Sequence, residues 1–208
     1  RSERRYRSVV EDQAELICRY DHNLNLTFVN QAYSVLYGKM PEAMIGVNIE
    51  GRDVWVRPWL YVHKSDLGYS VPVLLLDTDI EQNDTVDRGL THHLYGGDQI
   101  YRLKQELVLG VGGVRALEAL GFGIGTYHLN EGHAAFATIE LLKRFPRRRR
   151  QTDVTEWSYD ADRVRHLCVF TTHTPVEAGH DRFDYDLVER VCTDLIPLEV
   201  LKAFGGAD

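Results

Sequence analysis

The stretch from residue 99 to residue 120 most restricts what this chain can become. Ile100, Leu103, Leu107, Val111, Val114 and Leu117 recur at spacings of three and four, which is one face of a long helix. Gly110, Gly112 and Gly113 interrupt that pattern, each costing about 1 kcal/mol of helix propensity relative to Ala. Close packing against a neighbouring backbone would justify them. Asp98 stands where an N-cap belongs. Around this helix, strand and helix patterns alternate. Residues 54–62 and 71–76 read as strands, the second a nearly continuous apolar run that suggests cover on both faces. Residues 124–129 form a short strand, 131–145 a helix, 167–171 an apolar strand, and 185–191 and 198–204 two short helices, the last ended by Gly205. That order predicts an α/β layer structure with mainly parallel pairing.

Before about residue 50 the texture differs. Residues 6–17 read as a short helix, 17–20 and 24–29 as strands joined by turn chemistry at Asp21-His22-Asn23, and Asn30 as the cap of a helix that reaches Tyr37 and stops at Gly38. The change falls between Gly46 and Asp53. The expected organisation is therefore a small α+β segment, residues 1–50, followed by an α/β segment, residues 51–208.

The bulk numbers exclude several classes. With 208 residues, 44% of them hydrophobic and 26% charged, the chain has an ordinary globular composition. A net charge of −7 argues against nucleic-acid binding, which rests on clustered Lys and Arg. The basic run Arg147-Arg148-Arg149-Arg150 follows Pro146 and is read as a solvated loop. Cys18, Cys168 and Cys192 are odd in number and far apart, without C-x-x-C spacing, so neither a disulfide framework nor a cysteine zinc site is expected and a reducing cytoplasm is the natural setting. No apolar run approaches the ~18 residues of a membrane span. The first residue is not Met, and a segment of something longer is expected.

Polar residues gather after two of the strands. Ligands of open α/β sheets collect beyond the carboxyl ends of strands, and here one strand opens into Asn130-Glu131-Gly132-His133 and another into Thr172-His173-Thr174-Pro175 and onward through Glu177 to Asp181. An amide, a carboxylate and an imidazole together offer donors and acceptors for sugar hydroxyls. Equally, Asn130 could cap the following helix while Glu131 favours its positive end. A zinc site from His128, His133, His173 and His180 is a poor fit, because His128 and His133 are five apart and straddle a turn. No metal ligand set is assigned. The glycine clusters at 110–113 and 121–125 match neither dinucleotide nor P-loop spacing. The segment 94–99 with Arg102, Lys104, Gln105 and Glu106 heads the long helix and is read as positioning it.

Four blocks carry a resemblance: Val71-Pro72-Val73-Leu74-Leu75-Leu76-Asp77-Thr78-Asp79-Ile80; residues 94–113; Tyr127-His128-Leu129-Asn130-Glu131-Gly132-His133-Ala134-Ala135-Phe136; and residues 170–183. In order and interval they resemble the shorter α-glucan (glycogen or maltodextrin) phosphorylases, from about Val54 onward, and the resemblance implies an α/β fold with a Rossmann-like, partly parallel sheet and flanking helices. The resemblance implies cleavage of a terminal α-1,4-linked glucose by inorganic phosphate to give glucose 1-phosphate, with pyridoxal phosphate relaying a proton through its phosphate group. It implies that His173 contacts the glucosyl unit as the catalytic-site histidine and that Asn130, Glu131, His133, Thr174 and Glu177 bind substrate. It also implies that the Schiff-base lysine and the phosphate-binding cations belong to another domain, so this chain by itself is expected to bind no pyridoxal phosphate and to turn over nothing. Expected partners are an α-glucan and phosphate, with neither nucleic acid nor membrane, and a homodimer is one state open to the full-length family.

Residues 6–48 resemble the opening of a PAS domain through Val10-Glu11-Asp12, Glu15-Leu16-Ile17-Cys18-Arg19-Tyr20, Thr27-Phe28-Val29-Asn30, Ala32-Tyr33 and Gly38. No haem or flavin ligand is assignable there. The junction suggests a chimera of two interrupted coding regions. The alternative is a PAS-type sensing or interaction module fused to a reused carbohydrate-binding scaffold.

Overall fold

In the computed structural model of the chain, residues 18–20, 26–29, 44–94, 97–146, 159–175 and 181–205 are described. The helices expected at 6–17 and 30–37, the basic run at 147–150, Glu177 and His180 lie outside the described residues. Strand β1 (Cys18–Tyr20) pairs antiparallel with β2 (Leu26–Val29), Cys18 opposite Val29, which is the hairpin expected there.

A second sheet has the order β3 (Ile45–Ile49), β4 (Arg52–Lys64), β5 (Ser70–Asp77), antiparallel throughout. Mainly parallel pairing was the expectation. Strand-forming residues do not carry direction, whereas connection length does: a parallel pair needs a crossover of a dozen or more residues. Ile49 pairs directly with Arg52 across Glu50 and Gly51, whose φ values of 52° and 77° suit a two-residue hairpin turn with both central residues left-handed. Ile45, Val47 and Ile49 alternate into the interior with Val54 and Val56. Residues 45–49, grouped by sequence with the N-terminal segment, thus pack in the core of the α/β part. On β5 the run 71–76 has one exposed face, with Val71 and Leu75 both 52% accessible. It is the last strand in the order, and its outer face is bare among the described residues.

After β5 come the short helix α1 (Thr85–Arg88) and a 3-10 turn (Gly89–Thr91). Asp87 of α1 takes both Nε (2.7 Å) and Nη2 (2.8 Å) of Arg52. The long helix follows as α2 (Gln99–Leu107), a π-helical turn (Val108–Gly112) and α3 (Gly113–Ala119). Asp98 caps it, its Oδ1 accepting from Tyr101 N at 2.9 Å. Leu103, Leu107, Val111 and Val114 are buried against the sheet residues, as their spacing predicts. Gly110 has the anticipated cause. A Cβ on Gly110 would lie 2.7 Å from Ala137 N and 2.9 Å from the Phe136 carbonyl carbon, so α4 (Phe136–Arg144) crosses at backbone contact.

Strand β6 (Tyr127–Asn130) pairs with β7 (Cys168–Thr171) in parallel, Tyr127 opposite Cys168 and Asn130 opposite Thr171. The connection runs through α4 and α5 (Ala161–Leu167), the crossover that parallel pairing requires. Helices α6 (Tyr185–Val191) and α7 (Leu198–Gly205) close the described chain. Val188 and Val191 join the core, and Val191 O accepts from Glu50 N at 2.9 Å. Arg115 of α3 clamps Glu140 of α4 through Nε (3.0 Å) and Nη2 (2.9 Å) and donates from Nη1 to Gly46 O (2.7 Å), joining both helices to β3. The fold is a mixed α/β one. Among the described residues no helix is long and apolar enough to cross a membrane.

Candidate functional site

The parallel register sets Asn130 beside Thr171 at the carboxyl ends of β6 and β7, so the residues following each strand meet. Asn130 does not cap a helix. Its Oδ1 accepts from His173 Nε2 at 2.6 Å, which assigns the proton of that ring to Nε2. The next residue, Glu131, stands at φ 58° and ψ −171°, a backbone region that non-glycine residues occupy only when their surroundings hold them there. Two sets of contacts do so. Its N–H donates to Thr171 O at 2.8 Å. Its carboxylate accepts from His173 N (2.5 Å), Thr174 N (3.0 Å) and Thr174 Oγ1 (3.1 Å) on Oε1, and from Thr172 Oγ1 (3.0 Å) on Oε2.

Glu131 therefore grips the loop after β7 and does not stabilise the start of its own helix. The turn that follows it is 3-10 (Gly132–Ala134), with no side-chain cap. The backbone donor of His173, followed by burial and the two threonine hydroxyls, bears on the Glu131 carboxyl; the hydrogen bonds prevail and bring it to about 2. A carboxylate with several donors is stabilised in its charged form. Asn130 and His173 remain exposed, Thr174 is half-buried, and Glu131 is 5% accessible. His128 lies just before, bonded to Thr171 Oγ1 at 2.5 Å.

His133 joins a different group. Its Nδ1 lies 3.3 Å from Arg102 Nη2 and 3.6 Å from an Asp181 carboxylate oxygen. Arg102 Nη2 donates to Asp181 at 2.5 Å and reaches Glu106 at 3.5 Å. Glu106, His133 and Asp181 each offer an atom within 4.8 Å of the others, a spacing compatible with a metal. The guanidinium already supplies a cation among them. Among the described residues, neither His128 nor His173 contributes to this cluster. Beside it, a groove of about 540 Å³ runs between β5 and the long helix, lined by Leu74, Leu76, Leu90 and Val108 with Arg102, Glu106 and His133 at its polar end.

Of the residues singled out from sequence, Asn130, Glu131, His173 and Thr174 are thus joined by direct hydrogen bonds, and His133 is not part of that group. The importance of Arg102, Glu106 and Asp181 was not read from the sequence. A signal existed, since Arg102 and Glu106 form an i,i+4 pair flanking the core residue Leu103.

The polar residues thus collect at the carboxyl ends of a parallel strand pair, the place where ligands of open α/β sheets gather. Sequence comparison supplies the particular family. The chain is homologous over most of its length to glycogen and maltodextrin phosphorylases. It is 44% identical over 133 residues to a glycogen phosphorylase of Mycobacterium tuberculosis (60% of this chain, 14% of that protein). It is 39% identical over 147 residues to a maltodextrin phosphorylase of Thermococcus litoralis (71% of this chain, 16% of that protein). The chain thus spans about one seventh of the length of these relatives. A shorter match, 43% identity over 49 residues, joins 24% of the chain to 5% of the two-component sensor PprA of Pseudomonas aeruginosa. No family model and no solved structure matches.

Proposed function

We propose that this segment forms part of the glucan-binding wall of a phosphorylase-type active site, in which His173 contacts the glucosyl unit at the bond to be cleaved. The observation that carries this reading is the His173–Asn130 hydrogen bond at the mouth of the parallel strand pair, on a loop whose backbone is gripped by Glu131. Exposed imidazole and amide groups match the alternating donors and acceptors of sugar hydroxyls. In this reading Asn130 orients the ring, Glu131 positions the loop without touching substrate, and Thr174, His133 and Glu177 complete the wall. The reaction is phosphorolysis of an α-1,4-glucan, with phosphate taking the glucosyl carbon and the glucan leaving, in a reducing cytoplasmic setting.

Pyridoxal phosphate belongs to this chemistry by family. The described lysines do not suit it: Lys104 pairs with Glu50 at 2.8 Å, Lys143 with Asp194 at 3.3 Å, Lys202 stacks on Tyr185, and Lys64 ends β4. None belongs to the Asn130–His173 group. The described residues do not fit a holder of the cofactor, and in this reading its chemistry falls to other parts of a full-length phosphorylase.

A second reading, a PAS-type module fused to a reused carbohydrate-binding scaffold, draws on the match to a sensor protein and on the β1–β2 hairpin. Calorimetric titration of the 208-residue chain with maltoheptaose tests the first. Binding without release of glucose 1-phosphate is expected, weakened about 10-fold in His173→Ala and Asn130→Ala, the effect of one lost hydrogen bond to a partly charged site. Equal binding by all three proteins would sink the assignment, and turnover would show that the segment needs no other domain.

A further inference from the structure

On β4 the residues Val54, Val56 and Leu60 are buried. Successive strand residues point to opposite faces, so Trp55, Arg57, Trp59, Tyr61 and His63 share the outer one, with neighbours in the row about 7 Å apart, two strand steps. Beside them in the register stand Asp77, Leu75, Val73 and Val71 of β5, opposite Arg57, Trp59, Tyr61 and His63 respectively. The rings are held in place. A Cβ on Gly46 would meet Trp55 Cζ3 at 3.6 Å, so that indole lies over the β3 backbone. Trp59 Nε1 donates to Asp77 Oδ2 at 2.9 Å, and the Arg57 guanidinium stands 5.4 Å from the centre of the same indole. Tyr61 and His63 are exposed, their ring centres 6.4 Å apart and their planes tilted by 46°.

A row of rings on an open sheet face stacks flat molecules with apolar faces, and nucleobases and pyranose rings are both of that kind. Charge decides between them. A nucleic acid needs a basic path for its phosphates. Between Trp55 and His63 the formal charges of this face are Arg57 and the Asp77 opposite it, which cancel, on a chain of net charge −7. An uncharged chain of sugars complements such a balanced face. Its C–H faces lie on the rings, while its hydroxyls meet the donors of Arg57 and the acceptors of Asp77 at the border. Rings already fixed by their neighbours lose little freedom on binding. We propose that the outer face of β4 and β5, centred on Trp59 and Tyr61, is a second glucan-binding surface, a stacking platform separate from the Asn130–His173 group. None of its residues hydrogen-bonds to that group. The choice of an α-glucan among uncharged polysaccharides rests on the function proposed above; the stacking row does not.

Native gels cast with amylopectin read polymer binding by the 208-residue chain as retarded migration, with thermal melts reporting that each variant is folded. The wild type should be retarded, and His173→Ala should remain so. Trp59→Ala and Tyr61→Ala should each weaken the interaction about 10-fold, the share of one stacked ring. Tyr61→Phe, which keeps the ring, should stay within about 2-fold of the wild type. Tyr61 is 49% accessible, so its variants test the row even where Trp59→Ala fails to fold. No retardation of the wild type, or equal retardation of wild type and Tyr61→Ala, overturns the platform. So does retardation abolished by His173→Ala, which would give all glucan binding to the first site. A Tyr61→Ala protein that changes in sedimentation velocity but not in the gel would give the face to a second copy of the chain instead, and binding of a single-stranded oligonucleotide in place of amylopectin would give it to nucleobases. Maltoheptaose calorimetry keeps the two readings apart, since binding that falls in His173→Ala and survives in Tyr61→Ala upholds the proposed function whether or not the platform stands.

Discussion

Glu131 combines a backbone conformation that few non-glycine residues adopt with a carboxylate that accepts four hydrogen bonds from three consecutive residues. The two features depend on each other, because the unusual φ aims the side chain across to the β7 loop. With a folded value near 2 against an ordinary 4.5, the unfolded chain binds the extra proton between those values. The grip is therefore complete above about pH 4.5 and is lost as pH falls through about 2. Glu131→Gln keeps the shape and removes the charge, and since bonds to a carboxylate are roughly twice as strong as neutral ones, loop protection should drop on the order of 10-fold at pH 5. Hydrogen exchange checks this, and a wild-type loop already open at pH 4 would contradict it. The residue types of this site were legible in sequence, but not their duties. Asn130 and Glu131 read equally well as cap and charge for the next helix, and only the parallel register that brings Thr171 to Thr174 alongside tells the two apart.

The long helix makes its own test at the level of an element. Gly110 and Gly113 look alike in sequence, yet a methyl on the first meets the backbone of α4 at 2.7 Å whereas the nearest atom to one on the second is Leu76 Cδ1 at 4.0 Å. Gly110→Ala should destabilise by about 1–3 kcal/mol through overpacking. Gly113→Ala should be neutral or stabilise by up to about 1 kcal/mol from helix propensity. Thermal melts resolve the difference, at roughly 2–4 °C per kcal/mol for a chain of this size. Melts of equal Tm would show that α4 moves aside. Helix positions were readable because a period of 3.6 is written in the apolar residues. The π turn at Val108–Gly112 was not, since it answers a close crossing with another element.

For the molecule as a whole, the β4–β5 hairpin presents Tyr61, Val71, Val73 and Leu75 to solvent on one face, with Leu67 and Tyr69 at its tip. Apolar surface of this kind next to an edge strand promotes association. Val73→Lys combined with Leu75→Lys should lower self-association in sedimentation velocity and leave Tm within about 1 °C, as surface changes usually do. A large fall in Tm would mean that the face is packed in solution. The run 71–76 had suggested a strand covered on both sides, which is how its composition reads; cover depends on what else the chain brings to it.

Sequence by itself determined the periodic elements, the helix cap at Asp98, the β1–β2 hairpin and the polar residues that meet after β6 and β7. Those properties are local, written in the spacing of side chains a few positions apart. Tertiary structure alone decided the antiparallel direction of β3-β4-β5, the inclusion of Ile45, Val47 and Ile49 in the core, the turning of Glu131 onto a loop more than forty residues away, and the pairing of Asp181 with Arg102 beside Glu106. Those depend on which distant segments meet, and a periodic pattern says which face of an element is apolar without naming the surface it will cover.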